Sequence, residues 1–297
     1  MPAPPDTAWI TQQWELARIK KGKAPAAVLV LDEAQKIAHW SVEVKRLWDE
    51  DKREGGLMHV EEYFYFGGYP AGYTLKDDEL RFRQYIRDSL IETAISKDIL
   101  LMNRVEKPVL LRQLFVLSCE YAAQILSYQK MLGQLQDAGN TVTLAHYQRL
   151  LEGAFLIRGL EKWSGSAIRS RSSSPKWPPL NTGLITGLAN RTFAEWKNDP
   201  MAWGRLVEAA VGAHLVNGSS GENIEAYYWR DGNEEMDFVL RKGSGLTAIE
   251  VKSAGKIRKV SGLQKFKKCF PRAKTLIIGP GGMSFKEFFE TDVLEIV

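Results

Sequence analysis

Over residues 203–279 the spacing of apolar side chains changes from a helical period to an alternating one and back, a succession that only a small sheet flanked by helices accommodates. Leu206, Val207, Ala210, Val211 and Leu215 recur at helical intervals and predict a buried helix carrying Glu208. Tyr227-Tyr228-Trp229 and Met236-Asp237-Phe238-Val239-Leu240 read as antiparallel strands across a turn at Asp231-Gly232-Asn233. Ala248-Ile249-Glu250-Val251-Lys252 is a third strand, on which Glu250 and Lys252 share one face while Ile249 and Val251 take the other. A basic helix over 261–270 and a buried strand over 274–279 complete the pattern.

An acid and a lysine on one strand face, near a second acid, are costly in a core that has no use for them. Oxygen-rich sites bind magnesium, which clamps a phosphodiester and makes hydroxide from bound water, while a lysine steadies the developing charge. On this reading Asp237 and Glu250 are the candidate metal ligands, Lys252 stabilises the reacting phosphate, and Glu208 orients water or a second ion. The competing account of Glu250 and Lys252 is a structural ion pair at a sheet edge.

Charge is distributed unevenly. The 297 residues carry a net charge of only +4, but between Lys252 and Lys274 nine Lys or Arg residues occur with no acid, and from Lys162 to Ala194 five bases occur with none. Such runs suit either a solvated face or phosphate contacts, and Lys256, Arg258 and Lys259 are the candidates for nucleic acid in the first. With 44% apolar and 26% charged content the chain is expected to be globular, and no apolar run approaches bilayer length. No signal-peptide pattern precedes Asp6, so the expected location is cytoplasmic, with no membrane partner. Cys119 and Cys269 lie far apart and lack metal-ligand spacing, which supports neither a disulfide framework nor a zinc site, and two free buried thiols are expected.

Toward the N-terminus, a helical pattern over 9–19 leads to the apolar run Ala27-Val28-Leu29-Val30-Leu31 and then Asp32-Glu33, the pattern of a buried strand delivering two acids at its end. That is the Walker B arrangement, in which the Asp holds magnesium and the Glu orients water. The phosphate cradle G-x-x-x-x-G-K-[ST] is absent, since Gly22-Lys23 and Gly255-Lys256 both fail the pattern, so ATP hydrolysis by this chain alone is not expected. Further on, Leu110, Leu111, Leu114, Phe115 and Leu117 predict a helix, Ser127 caps a second, and Asn140-Thr141 cap a third. With a wing expected from the strand Phe155-Leu156-Ile157 through Trp163, this is a winged helix-turn-helix whose outer face carries Thr143, His146, Gln148 and Arg149. His146 and Arg149 are its candidate DNA contacts, although such domains also serve as packing modules.

Asp32-Glu33-Ala34-Gln35-Lys36-Ile37, Gly67-Gly68-Tyr69-Pro70, Tyr228-Trp229-Arg230, Glu235-Met236-Asp237-Phe238-Val239 and Ile249-Glu250-Val251-Lys252-Ser253 occur in that order. Through them nearly the whole chain resembles the prokaryotic AAA-type ATPases that carry a C-terminal domain of unknown function. The resemblance implies a P-loop ATPase, a winged helix, and a domain similar to PD-(D/E)xK, or restriction-endonuclease-like, nucleases. It matches Asp32 and Glu33 to the Walker B acids, Asp237, Glu250 and Lys252 to the D…ExK core, and Glu208 to the acid on its first helix. The departures are the phosphate loop, missing before Ala24, and the stretch between Trp48 and Glu61, where the sensor strand and lid arginine of the family are absent; the chain is expected to be a truncated relative.

The expected fold class is therefore mixed α/β: a partial P-loop ATPase remnant over 1–60, a helical linker region over 61–106, a winged helix-turn-helix over 107–163, a linker over 164–179, and a restriction-endonuclease-like α/β domain over 180–297. The expected function is hydrolysis of DNA phosphodiesters with magnesium. The alternatives are a non-catalytic DNA- or partner-binding remnant, and ATP binding once a missing N-terminal segment is supplied. DNA is the expected partner, with a homo-oligomer or a partner ATPase beside it.

Overall fold

A computed structural model describes residues 6–21, 29, 37, 43–44, 46–47, 59–136, 139–165, 174–254 and 261–297. Apart from Leu29, the strand expected at 27–31, its acids Asp32 and Glu33, and the bases Lys256, Arg258 and Lys259 lie outside the described residues. The chain forms two compact units, Met1–His59 and Val60–Val297.

In the first unit the expected N-terminal helix runs Thr7–Lys21. Its Ile10 is buried with Ile37 and Leu47, and Trp9, Trp14 and Val44 pack around them. The Thr11 hydroxyl donates to Glu43 at 2.5 Å. Hydrogen bonds from Arg46 and then Thr11 hold the Glu43 carboxyl down at about 2.

The second unit opens with the aromatic stretch, which folds as the helix Val60–Phe66 and buries Phe64, Tyr65 and Phe66. Phe66 meets Phe82 edge to face at 4.9 Å, from the helix Glu79–Gln84, which continues in π-helical turns over Tyr85–Ile91 and Ala94–Ile99. The helix Pro108–Glu120 buries the five apolar residues its spacing singles out. Ser127 and Asn140 cap Tyr128–Leu132 and Thr141–Gly153 by accepting the amides of Lys130 and Thr143.

Beyond this point the local structure departs from the expected wing. Residues 155–157 form no strand: Phe155 has a left-handed backbone, φ 56, and the Leu156 amide turns back to donate to the Leu151 carbonyl at 3.1 Å. Ile157 then bridges Pro179 and Leu160 bridges Lys176, and the chain enters strand β1, Glu161–Lys162. The buried side chains of Ile157 and Leu160 find their partners in 176–179, a stretch whose Lys176, Trp177, Pro178 and Pro179 are themselves buried.

β1 joins one sheet with β2 (Ile224–Asp231), β3 (Glu234–Lys242), β4 (Gly245–Val251) and β5 (Lys274–Ile278), in the order β1-β2-β3-β4-β5. The outer pairs are parallel and the inner pairs antiparallel. Gly232 and Gly243, at φ 63 and 59, close the two hairpins in a conformation that side chains with a Cβ disfavour. On one face Tyr228, Phe238, Leu240, Ile249 and Ile278 pack against Val211 and Leu215 of the long helix Pro200–Ser219. On the other, Trp229, Met236, Val239 and Ala248 pack against Phe266 of the basic helix Ser261–Cys269.

One irregularity interrupts this alternation. Tyr227 pairs with Val239 but Trp229 pairs with Met236, so two steps along β2 match three along β3, a bulge that falls at Asp237 and Phe238.

Candidate functional site

The bulge determines where Asp237 points. The last matched pair between β3 and β4 is Phe238 with Ile249, and beyond it the Val251 amide donates to Asp237 Oδ2 at 2.8 Å. Asp237 is thereby held at the end of the β3–β4 ladder. Glu250, directly before Val251, is buried with only 8% of its surface exposed. Its Oε1 accepts from Lys252 Nζ, while its Oε2 is buried and has no hydrogen-bond partner.

Glu208 reaches the same region from the long helix. That helix starts at Asp199, whose carboxylate accepts the amides of Met201 and Ala202, and its apolar stripe seats it on the sheet. Glu208 pairs with the ammonium of Lys176, a residue 1% exposed. The same ammonium lies 3.6 Å from Glu235 Oε1, 3.5 Å from the Asp237 carbonyl, and 5.3 Å from the centre of the Phe238 ring.

The electrostatics tie these groups into one cluster. Burial, then the charge of Asp237, lifts the Glu208 carboxyl above the usual carboxylate range, against the pull of Lys176. Glu250 is raised for the same two reasons, in the same order, against Lys252 and Lys176. For Lys176 burial disfavours the ammonium, but Glu208, Asp237 and Glu235 together outweigh it and keep the group protonated. Asp237 is the common neighbour of both raised acids. With all four acids ionised, four carboxylates would face two ammoniums, so a bound cation would favour the ionised forms of Glu208 and Glu250.

Glu208, Asp237, Glu250 and Lys252 are thus coupled in one region. Among the described residues, no three His, Cys, Asp or Glu side chains form a ready-made metal cage. The clefts of about 290 Å³, beside His214 and Asn181, and about 340 Å³, beside Phe270 and Arg272, lie away from these acids. The unpartnered Glu250 Oε2 beside Asp237 nonetheless fits a small, hard cation, whose ligands are oxygens. His146 and Arg149 are exposed on their helix. Gln148, expected beside them, is buried instead, bonded to Tyr128 and, at 2.9 Å, to Glu152.

Lys176 escapes a reading from composition because it sits in a stretch rich in serine, proline and arginine. The signal was local: Pro175-Lys176-Trp177-Pro178-Pro179 sets a tryptophan among prolines, and an indole that large is costly to leave in solvent.

Residues 57–195 match a domain of unknown function (DUF8612). Residues 203–295 match a domain of unknown function (DUF4143), and that span contains Glu208, Asp237, Glu250 and Lys252. This second domain is typically associated with AAA ATPases. The crystal structure of protein VC1899 from Vibrio cholerae is similar at 12% identity, over 94% of this chain and 73% of that one, with a TM-score of 0.23, a likeness too slight to carry an argument. No curated protein matches the chain. Among the described residues no helix is long and apolar enough to cross a membrane.

Proposed function

We propose that Asp237, Glu250, Lys252 and Glu208 form a magnesium-dependent site that hydrolyses DNA phosphodiesters, in the manner of the PD-(D/E)xK nucleases the sequence resembles. The observation that carries this reading is the buried, unpartnered Glu250 Oε2 beside Asp237 at the point where two strands part. A buried acceptor without a donor costs about 1–3 kcal/mol, and more for a charged group, so a cation there offsets a standing penalty.

Magnesium, when bound, supplies a polarised phosphate and a hydroxide nucleophile. The chain's own residues supply the rest. Asp237 is anchored through one oxygen by the Val251 amide, which leaves its other oxygen for a ligand. Lys252 is half-buried, and its ammonium beside Glu250 is placed to meet negative charge as it grows on a phosphate. Glu208 feels the charge of Asp237 and is the carboxylate assigned to accept a proton from water. Exposed Lys267, Lys268 and Arg272 suit contacts to the phosphate backbone.

A second reading has its own support. Lys176 on Glu208 and Lys252 on Glu250 partly neutralise the acids without any metal, as in a module that binds DNA or a partner ATPase and cleaves nothing. The typical association of the 203–295 domain with AAA ATPases fits either reading, and in both an ATPase segment or partner chain would provide the nucleotide site.

Incubation of the purified chain with supercoiled plasmid and magnesium separates the two. Nicking that disappears with chelator and in Asp237→Ala supports the nuclease. Binding of the plasmid without nicking supports the second reading, and nicking unchanged by Asp237→Ala would belong to a contaminant.

A further inference from the structure

We infer that Lys176 is a resident cation of the carboxylate cluster: its ammonium occupies the place of a second metal ion, so that the site takes one divalent ion, between Asp237 and Glu250, and not two. The inference rests on the reading of Asp237 and Glu250 as metal ligands and assigns Lys176 a positioning role within it.

Three observations carry it. The ammonium is enclosed by oxygens from three residues, a carboxylate oxygen of Glu208, one of Glu235 at 3.6 Å, and the main-chain carbonyl of Asp237 at 3.5 Å. An ammonium has three donors and no acceptor, so this set uses it as oxygen ligands use a small cation. The group is also built in. Lys176 exchanges hydrogen bonds with Leu160, its amide donating at 2.9 Å and its carbonyl accepting at 2.8 Å, and neighbouring Pro175 accepts the Leu126 amide at 3.1 Å. Main-chain pairing of this kind holds the side chain at the cluster irrespective of what else binds.

The second half of the site is different. Glu250 Oε2 is buried and, among the described residues, has no hydrogen-bond donor, Lys252 being engaged with Oε1. The cluster is therefore asymmetric: Glu208 faces the fully buried ammonium of Lys176, whereas Glu250 is held through one oxygen by the half-buried Lys252 and its second oxygen has no donor. With Lys176 present, a second divalent ion near Glu208 would have to displace a buried ammonium or share its ligands at close like-charge distance. Replacement of Lys176 by methionine keeps most of the unbranched side chain, removes the terminal ammonium and its charge, and leaves Glu208 and Glu235 free to hold an ion.

The stoichiometry of manganese binding tests this. Titration of the full chain with Mn²⁺, followed by the loss of the free-ion electron paramagnetic resonance signal, should give one bound ion for the unmodified chain and two for Lys176→Met. Two ions in the unmodified chain would overturn the inference, as would one ion in both proteins. One ion in Lys176→Met and none in the unmodified chain would retain Lys176 as the resident cation and reject the Asp237–Glu250 site. No ion in either protein would reject both. Should Lys176→Met fail to fold without metal, Glu208→Gln is the second variant. With the anion facing Lys176 removed, it should still bind one ion, and a loss of that ion would show that Glu208, not Glu250, holds it.

Discussion

A lysine buried against three acids is the residue on which the C-terminal cluster depends most. Removing one partner of a buried ion pair leaves the other charge without compensation, which costs about 3–5 kcal/mol. Lys176→Ala is therefore expected to lower the unfolding free energy by about that amount in urea titrations, and a loss under about 1 kcal/mol would mean that Glu208 is well solvated. The cysteines make a contrasting case. Cys119 is buried and its thiol is pushed far up by that burial, whereas Cys269 is exposed. Ellman's reagent should therefore titrate one thiol in the native protein and two in denaturant; two fast thiols in the native protein would contradict the packing around Cys119. At this scale the sequence was informative where a motif carried its own geometry. Glu250 on β4 and Lys252, one residue past its end, sit two apart and do meet. It was silent on Lys176, because the acids that bury it come from a helix and a strand far along the chain, and nothing in its neighbours' spacing names them.

Elements were legible in proportion to how much of their pattern is local. The long helix, the hairpin at Gly232 and the basic helix follow from apolar period and a turn glycine, and the caps at Ser127 and Asn140 were readable because a cap is satisfied within three residues. The bulge in β3 was not, since it arises from a mismatch in length between two paired strands and leaves no local mark. The wing failed for a related reason: an exposed Phe155 in an apolar run imitates a strand, while the pairing partners of 157–160 lie at 176–179. One contact between elements can be tested directly. A Cβ at Gly262 would stand 2.3 Å from the Glu235 carbonyl oxygen, so the basic helix lies on β3 only because that residue has none. Gly262→Ala should destabilise the protein by about 1–3 kcal/mol through overpacking, and an unchanged unfolding midpoint would show that the helix rides free of the strand.

Across the whole molecule, the acids collect at one end of the β3–β4 ladder, while exposed lysines and arginine occupy the basic helix and the turn after it. A backbone-reading surface of this kind loses affinity as salt rises, with a log–log slope of about −0.9 for each phosphate neutralised. Lys267→Ala with Lys268→Ala should weaken duplex binding uniformly across sequences and flatten that slope by about one for each contact removed; an unchanged slope would place the DNA elsewhere. Cleavage of an end-labelled duplex by the purified chain in magnesium tests the chemistry at Glu250 and Asp237 most directly. The predicted result is strand cleavage that Lys252→Ala slows by about 10²–10³-fold and chelation abolishes. Cleavage that proceeds at the same rate in Lys252→Ala, or no cleavage by an unmodified chain that binds the duplex, would contradict it.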